Sequence, residues 1–485
     1  MRWQPCAYHL PTALSSLPTD RLIKVMLHKT PCNSSSLDLP QRRKVFGSVA
    51  CVLLVLASVN CAQGAHAQSL NSTETLTPVH LALYNALGQK EGIRLLTNDL
   101  VDRLRADKAI GPMFKDIKPA YLKEQLTEQL CRVSGGPCVY EGEEMKKSHA
   151  DLKIGTGEFN LLVEILQDCM NARDIPFGVQ NRLLALLAPM HRDIITASPV
   201  ANRQGKLLLT GGVSSLDGAA GGGLTPWATI AGYASDQATA VTVHSTRVTT
   251  NDYGLNTYGL ALGIRNQWEV SLGRQSFDTG VTGPGLGIPG LRLTQDILGA
   301  KWRVSGDTIL DSDNWQPQIA VGVELKNLQS SGLDATLSAL GARKTGVDMY
   351  VSATKLFLAP GILVNATLRA TNANQNGLLG FGATLGGLRD QHQLMPELSL
   401  AWLASRNLAV GMEYRRMPNN LQEAGAAAGL GDGLRAQDWK GVFIAWAPNK
   451  MASFTLAYVD LGVVVPATTG NRTQTGTYLS VQLGY

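Results

Sequence analysis

The hydrophobic period of this 485-residue chain changes near residue 205, from close to four to two, and no single packed layer serves both patterns. Upstream, Ile93, Leu96, Leu100, Val101 and Leu104 fall at threes and fours, as do Phe159, Leu162, Val163, Leu166 and Met170, which predicts helices with one apolar face. Downstream, apolar residues alternate with small or polar ones in short runs, among them Ala238 to Thr249, Ile362 to Thr371 and Met451 to Leu461, which predicts antiparallel strands. Two folded units are expected, the first all-α and the second all-β.

Composition sharpens the division. Charged residues make up 17% of the chain, below the roughly 25% usual in soluble domains, and glycine reaches 50 copies, mostly after residue 205. A formal charge of +5 spread over this length gives no electrostatic footing for nucleic acid, so no such partner is expected. Gly221-Gly222-Gly223 is not a phosphate loop, because no Lys-Ser/Thr follows and no helix begins there; it reads as a turn or a thin strand position. Asp, Glu and His after residue 205 show no metal-ligand or triad spacing, so no catalysis is expected from that half.

Gln41 to Gln68 has a cationic start, an apolar run from Val45 to Val59 and small residues at Ala65 and Ala67, the layout of a secretory signal cleaved after Ala67. The run is shorter than the roughly 20 residues of a spanning helix, which argues against a permanent anchor. Arg42-Arg43 fits a twin-arginine signal only loosely. Residues 1–67 are thus an N-terminal extension and signal peptide, with Met26 as an alternative start. Cleavage removes Cys6, Cys32, Cys51 and Cys61 and leaves Cys131, Cys138 and Cys169, enough for at most one bridge in an oxidising compartment. Cys131 and Cys138 flank R-V-S-G-G-P, which suits either a disulfide between them or two buried thiols.

The helical pattern runs over 78–198, with 199–204 as a linker. Its most informative stretch, Leu83 to Ile154, contains L-Y-N-A-L-G, then S-G-G-P-C-V-Y-E-G and, shortly after, His149. A lone histidine behind Met-Lys-Lys-Ser is ordinarily a solvated residue, but the apolar helices around this one make it a candidate metal ligand. The stretch resembles the group 1 truncated haemoglobins over its whole helical length, through Leu83, Tyr84, Leu87 and Gly88, through Phe114, through Gly135, Gly136, Pro137, Tyr140 and Gly142, and through His149. The resemblance implies a two-on-two helical sandwich around haem, with His149 on the proximal side of the iron and Phe114 against the porphyrin face. It also implies Lys146 or Lys147 at a propionate, and Tyr140 and Ile154 among the residues around the cofactor. No Cys-x-x-Cys-His is present, so the cofactor implied is haem b without covalent links.

The departures from that family bear on the ligand. The second glycine of the opening is Gln89, and the family's phenylalanine-tyrosine pair on the second helix is Leu100-Val101, so the distal tyrosine is missing. Counting back from Gly135 puts Leu122, Leu126 and Leu130 on the ligand side of the distal helix and turns Gln125 and Gln129 partly aside. Bound dioxygen is retained largely by hydrogen-bond donors, so faster dioxygen loss and easier autoxidation are expected than in tyrosine-bearing relatives.

After residue 205, short connections such as Arg265-Asn266 and Pro448-Asn449-Lys450 alternate with long ones such as Met417 to Gln437, as in an outer-membrane barrel with short periplasmic turns. At the end, Leu479, Val481, Leu483 and Tyr485 share one face, while Tyr478, Ser480, Gln482 and Gly484 share the other. A secreted sandwich also alternates, but a closed barrel leaves no strand edge in lipid. The span 205–485 resembles a bacterial domain-of-unknown-function family of outer-membrane-barrel type. G-K-L-L-L-T-G-G-V from Gly205, G-G-G-L-T-P-W-A from Gly221, S-A-T-K-L-F-L-A from Ser352 and A-Y-V-D-L-G from Ala457 carry that resemblance, which brings no activity with it.

The expected architecture is an all-α two-on-two truncated globin followed by an all-β antiparallel barrel of about twelve strands, exported, with the globin in the periplasm and the barrel in outer-membrane lipid. The expected function is reversible binding of a diatomic gas, oxygen or nitric oxide. The alternatives are a nitric oxide dioxygenase, or a barrel scaffold or pore with a vestigial globin; the sequence identifies no electron donor.

Overall fold

The computed structural model describes residues 78–196, 205–235, 238–330 and 332–485. The expected signal peptide and the linker lie outside these residues. The helical part comprises α1 (Pro78–Ala86), α2 (Gln89–Ala106), α3 (Pro119–Val133), α4 (Met145–His149), α5 (Thr156–Asn171), α6 (Phe177–Leu187) and α7 (His191–Ile194). Ile93, Leu96, Leu100, Val101 and Leu104 are all buried on α2, which packs against α3 and α5. Pro119 opens α3 where its missing N–H has no helical partner to lose. The bend after α3 needs glycine: Gly135 has φ 88°, and a Cβ on Gly136 would lie 2.5 Å from both Cys131 Sγ and the Tyr84 ring. Cys131 and Cys138 form a disulfide across this bend, which resolves the sequence alternatives in favour of a bridge and ties α3 to the chain leading to α4.

Residues 205–235 follow, with a two-stranded hairpin of β1 (Val213–Ser214) and β2 (Ala220–Gly221). Then come β3 (Thr239–Thr250), β4 (Gly254–Ile264), β5 (Trp268–Asp278), β6 (Arg292–Ser305), β7 (Gln318–Gln329), β8 (Thr345–Phe357), β9 (Ile362–Thr371), β10 (Gln393–Ser405), β11 (Leu408–Arg415), β12 (Trp439–Asn449), β13 (Ala452–Val463) and β14 (Thr473–Gly484). These twelve strands close into an antiparallel barrel, β14 pairing with β3, as the alternation predicts. Leu272, Leu298, Leu325, Leu368, Leu400, Ile444, Leu456 and Leu479 point outward and are exposed. Near the short-turn end Trp268 stacks on Trp302 and Trp446 on Phe454, with centroids 5.4 and 5.6 Å apart. No helix among the described residues is long and apolar enough to cross a membrane.

Inward the chemistry inverts. Arg369 bonds Glu397 at 2.6 Å and Glu324 at 2.7 Å, Lys326 pairs with Asp348 at 2.9 Å, and Lys301 with Glu269 at 3.1 Å. The sequence reading assigned 205–485 to the barrel without distinguishing its first segment; residues 205–235 instead fill the lumen. Asp217 of this plug pairs with Arg415 at 3.1 Å, and its backbone amides at Leu224 and Ala231 donate to the carboxylates of Glu413 and Glu269, both at 2.8 Å. A chain inside a barrel must satisfy its own N–H groups, and lumen carboxylates do so here. Glycine lets the plug approach that wall, since a Cβ on Gly222 would collide with the Glu413 carboxylate.

The helices dock on the short-turn end of the barrel. Asn160 Nδ2 donates to the Gly205 carbonyl at 2.8 Å, Lys450 pairs with Glu164 at 2.6 Å, Arg192 with Asp313 at 2.7 Å, and Arg406 with Asp168.

Candidate functional site

α2, α3, α4, α5 and α6 enclose a cavity of about 960 Å³, near the top of the roughly 300–1,000 Å³ usual for small-molecule and cofactor sites. The sequence-predicted residues Phe114, Leu122, Leu126, Leu130, Tyr140, His149 and Ile154 all line it. Lys146 does not: it is exposed on α4, outside the wall, and Lys147 pairs with Glu143 at 2.9 Å. Leu100 and Leu104, the inward positions of α2, complete the apolar side, whereas Val101 is buried in the helix core outside the wall.

His149 ends α4, a five-residue helix packed on α7. Its Nδ1 lies 2.7 Å from the Met145 carbonyl oxygen and 2.9 Å from Ser148 Oγ. A carbonyl only accepts, so the hydrogen is assigned to Nδ1 and Nε2 keeps the lone pair. Nε2 has no hydrogen-bond partner among the described residues. A backbone carbonyl that fixes tautomer and ring orientation is the usual support of a metal-ligating imidazole. Among the described residues no three His, Cys, Asp or Glu side chains gather as a metal cluster. One imidazole with an oriented lone pair on an apolar cavity fits a metal that an apolar macrocycle would carry, with His149 as the protein nitrogen that would hold it.

Gln125 and Gln129 differ from expectation. Both line the cavity, because positions 122, 125, 126, 129 and 130 of α3 form one stripe at threes and fours. Gln125 Oε1 is buried with no hydrogen-bond partner among the described residues and faces Gly142, where an added Cβ would lie 2.5 Å away. Among the described residues Gln129 Nε2 reaches only sulfur, Met145 Sδ at 3.4 Å and Met190 Sδ at 3.8 Å. Amide groups thus join the leucines on this wall. The Tyr140 hydroxyl donates to the Glu143 carbonyl at 3.0 Å, and burial pushes its pKa above the ordinary phenol value.

Sequence reasoning missed part of the wall altogether. Leu310, Leu356, Leu358 and Leu403, from barrel strands and turns, also line the cavity. The only available signal was leucine at barrel connections, where polar residues are ordinary.

Two family models match the chain: one described as bacterial-like globin over residues 82–196, and one described as protein of unknown function (DUF3034) over residues 210–482. The group 1 truncated hemoglobin GlbN of Mycolicibacterium paratuberculosis is 26% identical over 115 residues, 24% of this chain and 85% of that protein. The solved truncated hemoglobin of Tetrahymena pyriformis in its Fe(III) form is 20% identical with a TM-score of 0.23, covering 23% of this chain and 97% of its own. The KdgM porin is 8% identical with a TM-score of 0.31, covering 50% of this chain and 99% of its own.

Proposed function

We propose, for a chain that belongs to the family described as protein of unknown function (DUF3034) and carries a bacterial-like globin segment ahead of that barrel, that the helical domain 78–198 binds haem b and reversibly ligates a diatomic gas. The observation that carries this reading is His149: one imidazole on an apolar cavity, its Nδ1 held by the Met145 carbonyl at 2.7 Å and its Nε2 left free to ligate. Haem, when bound, would supply the iron to which oxygen or nitric oxide ligates.

The chain's residues divide the remaining work. Met145 and Ser148 orient the imidazole, and Phe114, Leu122, Leu126 and Leu130 give the cofactor dry walls. Without a tyrosine at position 101, the nearest amide groups are Gln125 and Gln129, so dioxygen is held less firmly than in tyrosine-bearing relatives. The hemoglobins that match this segment support the same reading by their names.

We further read the barrel as sitting in outer-membrane lipid, with the helices on its periplasmic side. The outward apolar band, the aromatic pairs near the short turns and the absence of a free strand edge in a closed barrel support this. The disulfide fits an exported chain. A plug that fills the lumen favours an anchor over an open pore.

The test is the absorption spectrum of the purified mature chain, reduced, with and without carbon monoxide. A Soret band that shifts on adding carbon monoxide is expected. A protein that refolds and purifies without binding added haem overturns the reading.

A further inference from the structure

We propose that the barrel is part of the cofactor site: its turn end supplies one wall of the cavity, and that wall sets how fast the helical domain releases haem. This rests on the haem reading above and adds a role for the barrel beyond anchoring.

One cavity is lined by His149 and by Leu310, Leu356, Leu358 and Leu403. Leu310 and Leu358 come from the connections between β6 and β7 and between β8 and β9, and Leu356 and Leu403 from the ends of β8 and β10 beside the connections they lead into. Leu310, Leu356 and Leu358 are only 7%, 4% and 9% exposed, although turns at the end of a barrel ordinarily meet water. At the same end the β4–β5 turn, away from this wall, carries exposed Arg265 and Gln267. Where the helices dock, these leucines face the cavity with Arg406, Asn407, Asn449 and Lys450 beside them.

The helical side of the junction is complementary. Leu162, Val163 and Leu187 of α5 and α6 line the cavity and are half-buried even with the barrel in place. Without the barrel they would meet water, and the cavity would open along that side. Polar contacts frame the apolar patch: Arg406 pairs with Asp168 and Lys450 with Glu164, each joining a barrel turn to α5. Apolar contact inside and ion pairs at the rim are the anatomy of a specific interface. Here that interface closes a cavity, so loosening it admits water to whatever the cavity holds.

The test follows transfer of haem from the full-length protein, in detergent, to excess apomyoglobin by the change in the Soret band. Leu358→Asp and Leu403→Asp each put a carboxylate into the apolar wall and are expected to speed haem release about tenfold or more. Heat-modifiable gel migration checks that the barrel remains folded. Arg406→Asp is expected to speed release as well, and adding Asp168→Arg to it restores the slow rate by rebuilding the pair in reverse. Variants that keep a folded barrel and release haem at the wild-type rate overturn the inference and leave the haem reading standing. Wild-type protein that binds no haem overturns the underlying reading instead.

Discussion

The helical domain and the barrel bury opposite kinds of residue. Leu166 and Met170 are 2% and 0% exposed in the helices, whereas Leu298 and Leu456 are 45% and 53% exposed on the strands. Charges run the other way: Arg94 and Glu91 pair on the helical surface, while Arg369 is buried with Glu324 and Glu397 in the lumen. Exposure has meaning only against the solvent each region meets, water around the helices and lipid around the barrel on the reading above. Two inward histidines show the same lesson at residue scale. His149 has one nitrogen held by a carbonyl and opens on a cavity, whereas neither ring nitrogen of buried His244 has a partner among the described residues. Burial alone does not make a ligand; an oriented lone pair facing space does.

The largest effect expected from breaking this contrast is in the lumen. Arg369→Ala leaves Glu324 and Glu397 buried without their guanidinium and is expected to cost about 3–5 kcal/mol of barrel stability. Urea titration in lipid vesicles, read by gel migration, checks it; unchanged stability contradicts the network. Leu298→Arg on the outer face is expected to cost about 2–4 kcal/mol in the same assay if that face meets lipid. An arginine tolerated there at no cost means that the face is wet.

The helical domain offers smaller effects. Replacing Cys131 and Cys138 together by serine removes the bridge and is expected to cost about 2 kcal/mol, seen as a lower melting temperature by circular dichroism. Thiol labelling adds a count: a chain cleaved after Ala67 has Cys169 as its one free cysteine. That thiol is buried beside Asp99, with burial the larger cause of a pKa pushed up to about 12, so it labels only after denaturation. Additional labelling sites in the denatured chain indicate a retained N-terminus.

The smallest effect is at the junction. Burial raises the Glu164 carboxyl above its ordinary 4.5, outweighing the lowering by Lys450. The folded carboxyl therefore holds its proton more tightly than the unfolded one, so its contribution is fully present below about 4.5 and is lost as pH rises through the raised folded value. Glu164→Gln is expected to flatten that slope and change stability near neutrality by less than about 1 kcal/mol. A steeper slope in the variant contradicts the assignment.

Much of this was legible in the sequence. The twelve strands could be read because apolar residues recur at every second position along part of each, so Leu479, Val481 and Leu483 announce their face two residues at a time. His149 could be read because the glycine bend and Tyr140 precede it at close range. The plug could not, since Gly221, Gly222 and Gly223 have no side-chain period to betray an inward path. Nor could the barrel wall of the cavity, because Leu358 and His149 come to line one cavity only through packing across 209 positions of sequence. Counting back from Gly135 turns Gln125 and Gln129 partly aside, yet the cavity is wide enough to take them with Leu122, Leu126 and Leu130.

The most direct measurement is the absorption spectrum of the full-length His149→Gly variant, before and after adding free imidazole. Loss of the wild-type axial spectrum, with recovery when imidazole occupies the vacated position, is expected. A variant whose Soret band matches the wild type and ignores imidazole contradicts the central claim that this side chain holds the iron.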